Sequence, residues 1–127
     1  MPTDLHIIRT SDFLRLDAKG DLDFQKTIHD LEKLAKSCLK NGVHYALLDV
    51  RKMTMRAKLS TTELYQLAKA FAESGFKKTD CLAILHPYSG EQAGIFASFA
   101  EERGMRVRAF DNYEDAMEWF STPLPAN

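Results

Sequence analysis

The chain has 127 residues, enough for one domain with a real core, and its 45% hydrophobic and 28% charged content is ordinary for a globular protein. Its 17 basic and 18 acidic residues leave a net charge of −1, so no global field draws it to nucleic acid or to an anionic membrane. No apolar run reaches transmembrane length, and the start MPTDLHIIRTSDF lacks the basic segment and long apolar stretch of a secretory signal, which predicts a cytoplasmic protein not integral to a membrane.

Taken in order, Leu5–Arg9 and Phe13–Ala18 read as two short strands, joined by a polar connection into an edge hairpin. Gly20, with Asp21 or Asp23, ends the hairpin and starts a helix. From Asp23 to Leu39 the apolar positions Phe24, Ile28, Leu31, Leu34, Ala35, Cys38 and Leu39 fall at steps of three and four, one buried stripe, and Asn41-Gly42 supplies a left-handed stop. Tyr45–Val50 is almost free of polar residues until Asp49, as a central strand covered on both faces should be. A basic loop, Arg51–Leu59, leads to a helix from Thr61 to about Ser74. Cys81–Leu85 is a second wholly apolar strand, broken by His86-Pro87-Tyr88. Ser89 caps a helix Gly90–Arg103, Met105–Phe110 alternates arginines as an exposed edge strand does, and Asp111 or Asn112 caps a last helix through Phe120.

The order is β-β-α-β-α-β-α-β-α. Strands separated by single helices imply right-handed crossovers, hence an α/β fold with about five strands, mostly parallel, and four helices. No linker or repeat divides residues 1–127, so one domain with a short tail, 122–127, is expected. Cys38 and Cys81 have apolar neighbours and no paired spacing, and read as reduced, buried thiols.

The candidate site lies around HYALLDVRKMTMRAKLSTTEL, residues 44–64. Ser60 and Glu63 have the spacing of a capping box, in which each side chain satisfies a backbone donor at the helix start. Asp49 closes the strand, where a carboxylate either accepts donors from the following loop or holds a ligand at the carboxyl edge of the sheet. Arg51, Lys52, Arg56 and Lys58 put four cations in one loop with no acidic residue, interleaved with Met53 and Met55. This is either an adaptable positive surface for a partner or an anionic lipid, or a solvated loop whose methionines fill the core. His86, after a central strand, is conceivable in a relay with Ser60 or Ser89 and Asp49 or Asp111. No G-x-S-x-G elbow presents a nucleophile. The four histidines lack metal-ligand spacing, and neither a phosphate loop nor a dinucleotide fingerprint is present, so no metal and no cofactor are expected.

The segments ALLDVRKM (Ala46–Met53), STTELYQLAKAFAE (Ser60–Glu73) and FAEERGMRVRAFDNYEDAMEWF (Phe99–Phe120) make the chain resemble STAS domains of the SpoIIAA-like, anti-sigma-factor-antagonist type. The resemblance implies a non-enzymatic, protein-binding switch, phosphorylated at a serine where the helix after the central strand begins. By position this is Ser60, with Thr61 behind it. The antagonists' Asp-Ser-x-Gly turn is replaced here by Ala57-Lys58-Leu59-Ser60-Thr61-Thr62, without the aspartate and the glycine. Beside this regulatory reading stand two others: a carrier or sensor of a small apolar or amphipathic ligand, suggested by the broad apolar surface of Ile95, Phe96, Phe99 and Ala100, and a hydrolase at His86. The same surface suggests a homodimer contact at Ile95 and Phe99, unless the last helix folds over it.

Overall fold

The structure, a computed structural model, describes residues 6–9, 13–21, 23–54, 59–76, 80–87 and 91–121. Strands β1 (His6–Arg9) and β2 (Leu14–Asp21) form the antiparallel edge pair. Helix α1 (Phe24–Asn41) follows, then β3 (Tyr45–Thr54), α2 (Thr61–Glu73), β4 (Cys81–Leu85), α3 (Glu91–Glu102), β5 (Arg106–Phe110) and α4 (Tyr113–Ser121). The sheet order is β1-β2-β3-β4-β5, with β2 to β5 parallel. The expected α/β class, strand count and four helices are all present.

This order decides the layers. Each parallel crossover steps to the adjacent strand in the same direction, so right-handed connections stack α1, α2 and α3 on one face. Strand alternation supplies that face with Leu14, Leu16, Ala46, Leu48, Leu82, Ile84 and Val107, which pack with Leu31, Leu34, Leu67, Phe71 and Phe96 into the main core. The opposite face takes the intervening residues Leu47, Ala83 and Leu85, covered by α4 through Ala116, Met117, Trp119 and Phe120. Covering on both faces explains why all five residues of β4 are buried. The last helix therefore does not fold over Ile95 and Phe99. Those two are half-buried at the margin of the main core, with Phe99 edge-on to Tyr65 of α2 at 5.5 Å between ring centroids.

Two strand ends differ by three or more residues from the sequence reading. β2 runs past Ala18 to Asp21, and β3 runs past Val50 to Thr54, because the two continue to pair: Lys19 with Lys52, Gly20 with Met53 and Asp21 with Thr54. The register shifts on the way. Asp17 to Lys19 is two residues while Asp49 to Lys52 is three, so β3 carries one extra residue. That residue resets the alternation. Val50 and Met53, an odd distance apart, both pack against the helix-side core.

The helix ends follow local chemistry. Gly42, at φ 63°, closes α1 with its N–H bonded to Leu39 O. Asp23 sits at the α1 start, but its side chain makes no cap bond. Its carbonyl accepts from the Thr27 N–H and hydroxyl instead. Asn112 caps α4, its Oδ1 accepting the Asp115 N–H at 2.9 Å.

Candidate functional site

Ser60 stands at the N-terminus of α2, exposed, directly beyond the carboxyl edge of the sheet. Its Oγ accepts the Glu63 N–H at 3.1 Å, and the Ser60 N–H donates to Glu63 Oε1 at 2.9 Å, a complete capping box. Thr61 and Thr62 are exposed beside it. The box is tied to the rest of the molecule one residue earlier. The Gln92 side chain of α3 takes both backbone groups of Leu59: the Leu59 N–H donates to its Oε1 at 3.3 Å, and its Nε2 donates to the Leu59 carbonyl. A primary amide opposite a peptide group in this way completes a segment that has no strand partner. Sequence reading missed Gln92, because only folding brings it 33 positions back to Leu59.

Asp49 belongs to an ionic network on the α4 side of the sheet. Its Oδ1 accepts the backbone N–H of Arg51 at 3.0 Å and Arg51 Nε at 3.1 Å. Its Oδ2 accepts Arg51 Nη2 at 2.9 Å and Arg15 Nη2 at 3.0 Å. Arg15 Nε donates to Asp17 Oδ1 at 2.8 Å, and its guanidinium lies 5.8 Å from the Tyr113 ring centroid. Burial pushes the Asp49 carboxyl up. The Arg51 side chain and backbone N–H, with the charges of Arg51 and Arg15, outweigh this and hold it below the ordinary carboxylate range. Asp49 is therefore an acceptor committed to two arginines and to the backbone of its own strand. Arg15 and Asp17 were not singled out from sequence. The signal was present, since in a strand residues 15 and 17 share one face, opposite Leu14 and Leu16, and pair in register with Leu47 and Asp49.

The basic segment is divided. Arg51 and Lys52 are exposed strand residues, Arg51 bound to Asp49, and Met53 is half-buried in the helix-side core. Met55, Arg56 and Lys58 lie outside the described residues, as do Ser89 and the tail 122–127.

His86 does not join a relay with the described candidates. Its Nδ1 is 2.6 Å from Pro87 O, an acceptor, so that nitrogen carries the proton. Asp49 is held by arginines, Asp111 Oδ1 accepts from Asn112 Nδ2 at 2.9 Å, and Ser60 Oγ is engaged with Glu63. His44 is paired elsewhere, its Nδ1 2.7 Å from Oδ1 of the buried Asp80 just before β4. Among the described residues, no three His, Cys, Asp or Glu side chains are grouped to hold a metal ion. Cys38 and Cys81 are buried and free. Burial, then the nearby Asp80 carboxylate, pushes the Cys38 thiol up to about 12, so it is unreactive at neutral pH.

Among the described residues no ligand crevice of the strand-reversal kind forms, because the parallel strands run in one unbroken order. A cavity of about 80 Å³ lies instead between the helix layer and the sheet. It is lined by Thr27 and Leu31 of α1, Leu48, Val50 and Met53 of β3, Leu59, Leu64 and Leu67 at α2, Ile84 of β4, and Gln92, Ala93 and Phe96 of α3. Met53 reaches it because of the extra residue in β3.

No family model matches the chain, and no curated protein does. Solved structures do. An uncharacterised DUF3478-family protein with a SpoIIAA-like fold from Shewanella loihica PV-4 is 21% identical, covering 93% of each chain with a TM-score of 0.53. An anti-sigma factor antagonist from Mycobacterium paratuberculosis is 11% identical, covering 94% of this chain and 95% of its own, with a TM-score of 0.63. The anti-sigma factor antagonist SpoIIAA in its unphosphorylated form is 12% identical, covering 92% and 94%, with a TM-score of 0.56. The chain has a SpoIIAA-like, STAS-type fold. No described helix is long and apolar enough to cross a membrane.

Proposed function

We propose that this chain is a cytoplasmic, non-enzymatic regulatory module that binds a protein partner through the start of α2, with Ser60 as its switch residue. The observation that carries this reading is the exposed capping box at the carboxyl edge of the central strand, in a fold shared with two anti-sigma factor antagonists. The chemistry of a switch is available there. A phosphate on Ser60 Oγ would meet the free N–H groups and positive end of α2. It would also meet the Glu63 carboxylate, now bonded to the Ser60 N–H. Like charges would expel that carboxylate, so modification opens the box and changes the surface a partner meets.

The test is mass spectrometry of the protein purified from its own source, followed by partner binding of two variants. A Ser60 phosphopeptide should be found. Ser60→Asp should lose the co-purifying partner at an unchanged melting temperature, since aspartate also caps, while Ser60→Ala should cost ~1 kcal/mol of stability and keep the partner. A partner retained equally by wild type, Ser60→Asp and Ser60→Ala would sink the switch.

The cavity supports a second reading, a sensor or carrier of a small apolar ligand. The cavity's walls are formed mainly by Leu, Val, Ile, Met and Phe side chains, which suits an apolar group.

A further inference from the structure

One side chain connects the cavity to the residue before Ser60. Gln92 lines the cavity and holds the two backbone groups of Leu59. Leu59 in turn lines the cavity and precedes the N-cap. The first full turn of α2 hangs from the same place, the Leu64 N–H bonding to Ser60 O at 2.9 Å. The chain from cavity to switch is therefore Gln92, Leu59, Ser60, Glu63, each link a hydrogen bond or a peptide bond.

The lining also says what the cavity accepts. Its polar side chains are Thr27 and Gln92, and both are already committed, the Thr27 hydroxyl to Asp23 O at 2.7 Å and the Gln92 amide to Leu59. The lining offers almost no polar surface to an entering molecule, which meets Met53, Leu64 and Phe96. Such a site selects an apolar group, a single ring or a short aliphatic chain, and rejects a hydroxyl or charge. A ligand seated against these walls removes their apolar surface from water.

We infer that an apolar ligand in this cavity is coupled to the Ser60 cap through the Gln92–Leu59 hydrogen bonds. Filling the void gives Leu59 a packing partner on its cavity side, which holds the peptide against Gln92 and keeps the capping box shut. Leu59 also packs at the margin of the main core, so a ligand adds to that support. Ligand occupancy and modification of Ser60 then oppose each other, because one closes the box and the other opens it. By reciprocity, whatever opens the box weakens the ligand. The inference deepens the reading of Ser60 as a switch and rests on it for biological meaning, but its physical content is a coupling measurable without a partner.

The experiment uses benzene as the probe on the full chain, followed by amide chemical shifts and hydrogen exchange. Benzene should shift the amides of Leu59, Ala93 and Phe96 and slow exchange of the Glu63 N–H, which donates to Ser60 Oγ, by about tenfold. Gln92→Ala should still bind benzene while the Glu63 effect disappears. Gln92→Glu, which keeps the acceptor for the Leu59 N–H but loses the donor to its carbonyl, should retain part of it. Gly42, whose N–H closes the far end of α1, reports general stabilisation, and its exchange should respond alike in wild type and variants. Absence of benzene binding up to its solubility limit overturns the ligand site. Equal slowing of Glu63 in wild type and Gln92→Ala overturns the coupling. Neither result bears on partner loss in Ser60→Asp, so failure here and failure of the switch are separable.

Discussion

Asp49 and Asp30 are both buried, at 8% exposure each, yet their environments push them in opposite directions. Burial raises the Asp30 carboxyl, only partly offset by the charges of His29, Lys33 and Lys26. At Asp49 burial is outweighed by Arg51 and Arg15, and the carboxyl is lowered. A lowered folded-state value gives stability that is present above the unfolded value, near pH 4, and lost as pH falls through the folded one. A raised value gives the reverse: its contribution is present below about pH 4 and is lost as pH rises through the folded value, so charged Asp30 weakens the fold at neutral pH. Asp49→Asn should therefore be destabilised near neutrality, by about 1–3 kcal/mol for lost charged hydrogen bonds, with the deficit shrinking below about pH 4. Asp30→Asn should be at least as stable as wild type near neutrality and lose that advantage in acid. Denaturant midpoints of the three proteins between about pH 3 and pH 7 check both signs. A pH-independent deficit in Asp49→Asn would show that its carboxylate is not the ionised hub of the network.

At the scale of elements, α4 is the informative one. Ala116, Met117, Trp119 and Phe120 were legible as its buried side, because helical periodicity reports which side of a helix is covered. Periodicity does not report which face of a sheet does the covering. That followed only from the crossovers filling the other face with α1, α2 and α3, which left α4 alone opposite them. β3 shows the complementary limit. Its apolar half was plain, but Arg51–Thr54 opens with two cations and breaks the apolar run, and its pairing with β2 across a register shift is a tertiary fact. Of the two readings the sequence left open for Met53, partner surface or core filler, the extra residue turns it toward the core. A lone helix on one face is also a weak point. The Phe120 ring lies 5.5 Å from Phe13, 5.3 Å from Tyr45 and 5.8 Å from Trp119. Phe120→Ala should cost about 2 kcal/mol, roughly half the value for a fully buried Phe because this ring is only partly covered. It should raise amide exchange across α4 while leaving α1, α2 and α3 protected. Uniform loss of protection in all four helices would mean that α4 does not open as a separate unit.

For the whole molecule, the remaining question is whether one chain is the working unit. The case for a two-fold contact began with Ile95 and Phe99, both apolar on α3. The packing moves its centre. Phe99 is sheltered edge-on by Tyr65, and it is Tyr65 that stays in water, 44% exposed, with Arg103 5.1 Å from its ring centroid and Arg103 Nη2 donating to its hydroxyl at 2.9 Å. A tyrosine held upright by an arginine is a rigid amphipathic anchor, and both residue types are enriched at protein interfaces. If the chain self-associates through the α2–α3 seam, Tyr65 lies at the axis and meets its symmetry mate, since a two-fold contact uses the same patch twice. Sedimentation equilibrium should then show a mass that rises above one chain as the concentration approaches ~100 μM, an association worth at least ~5.5 kcal/mol. Tyr65→Glu should return the mass to one chain at unchanged secondary structure, because two buried, unpaired carboxylates would face each other across the axis. Leu39→Glu, which removes the most exposed large apolar side chain among the described residues at 61% but lies on α1, should leave self-association intact. A constant mass of one chain across the range would remove the dimer. An effect of Leu39→Glu equal to that of Tyr65→Glu would put the contact on the wrong helix.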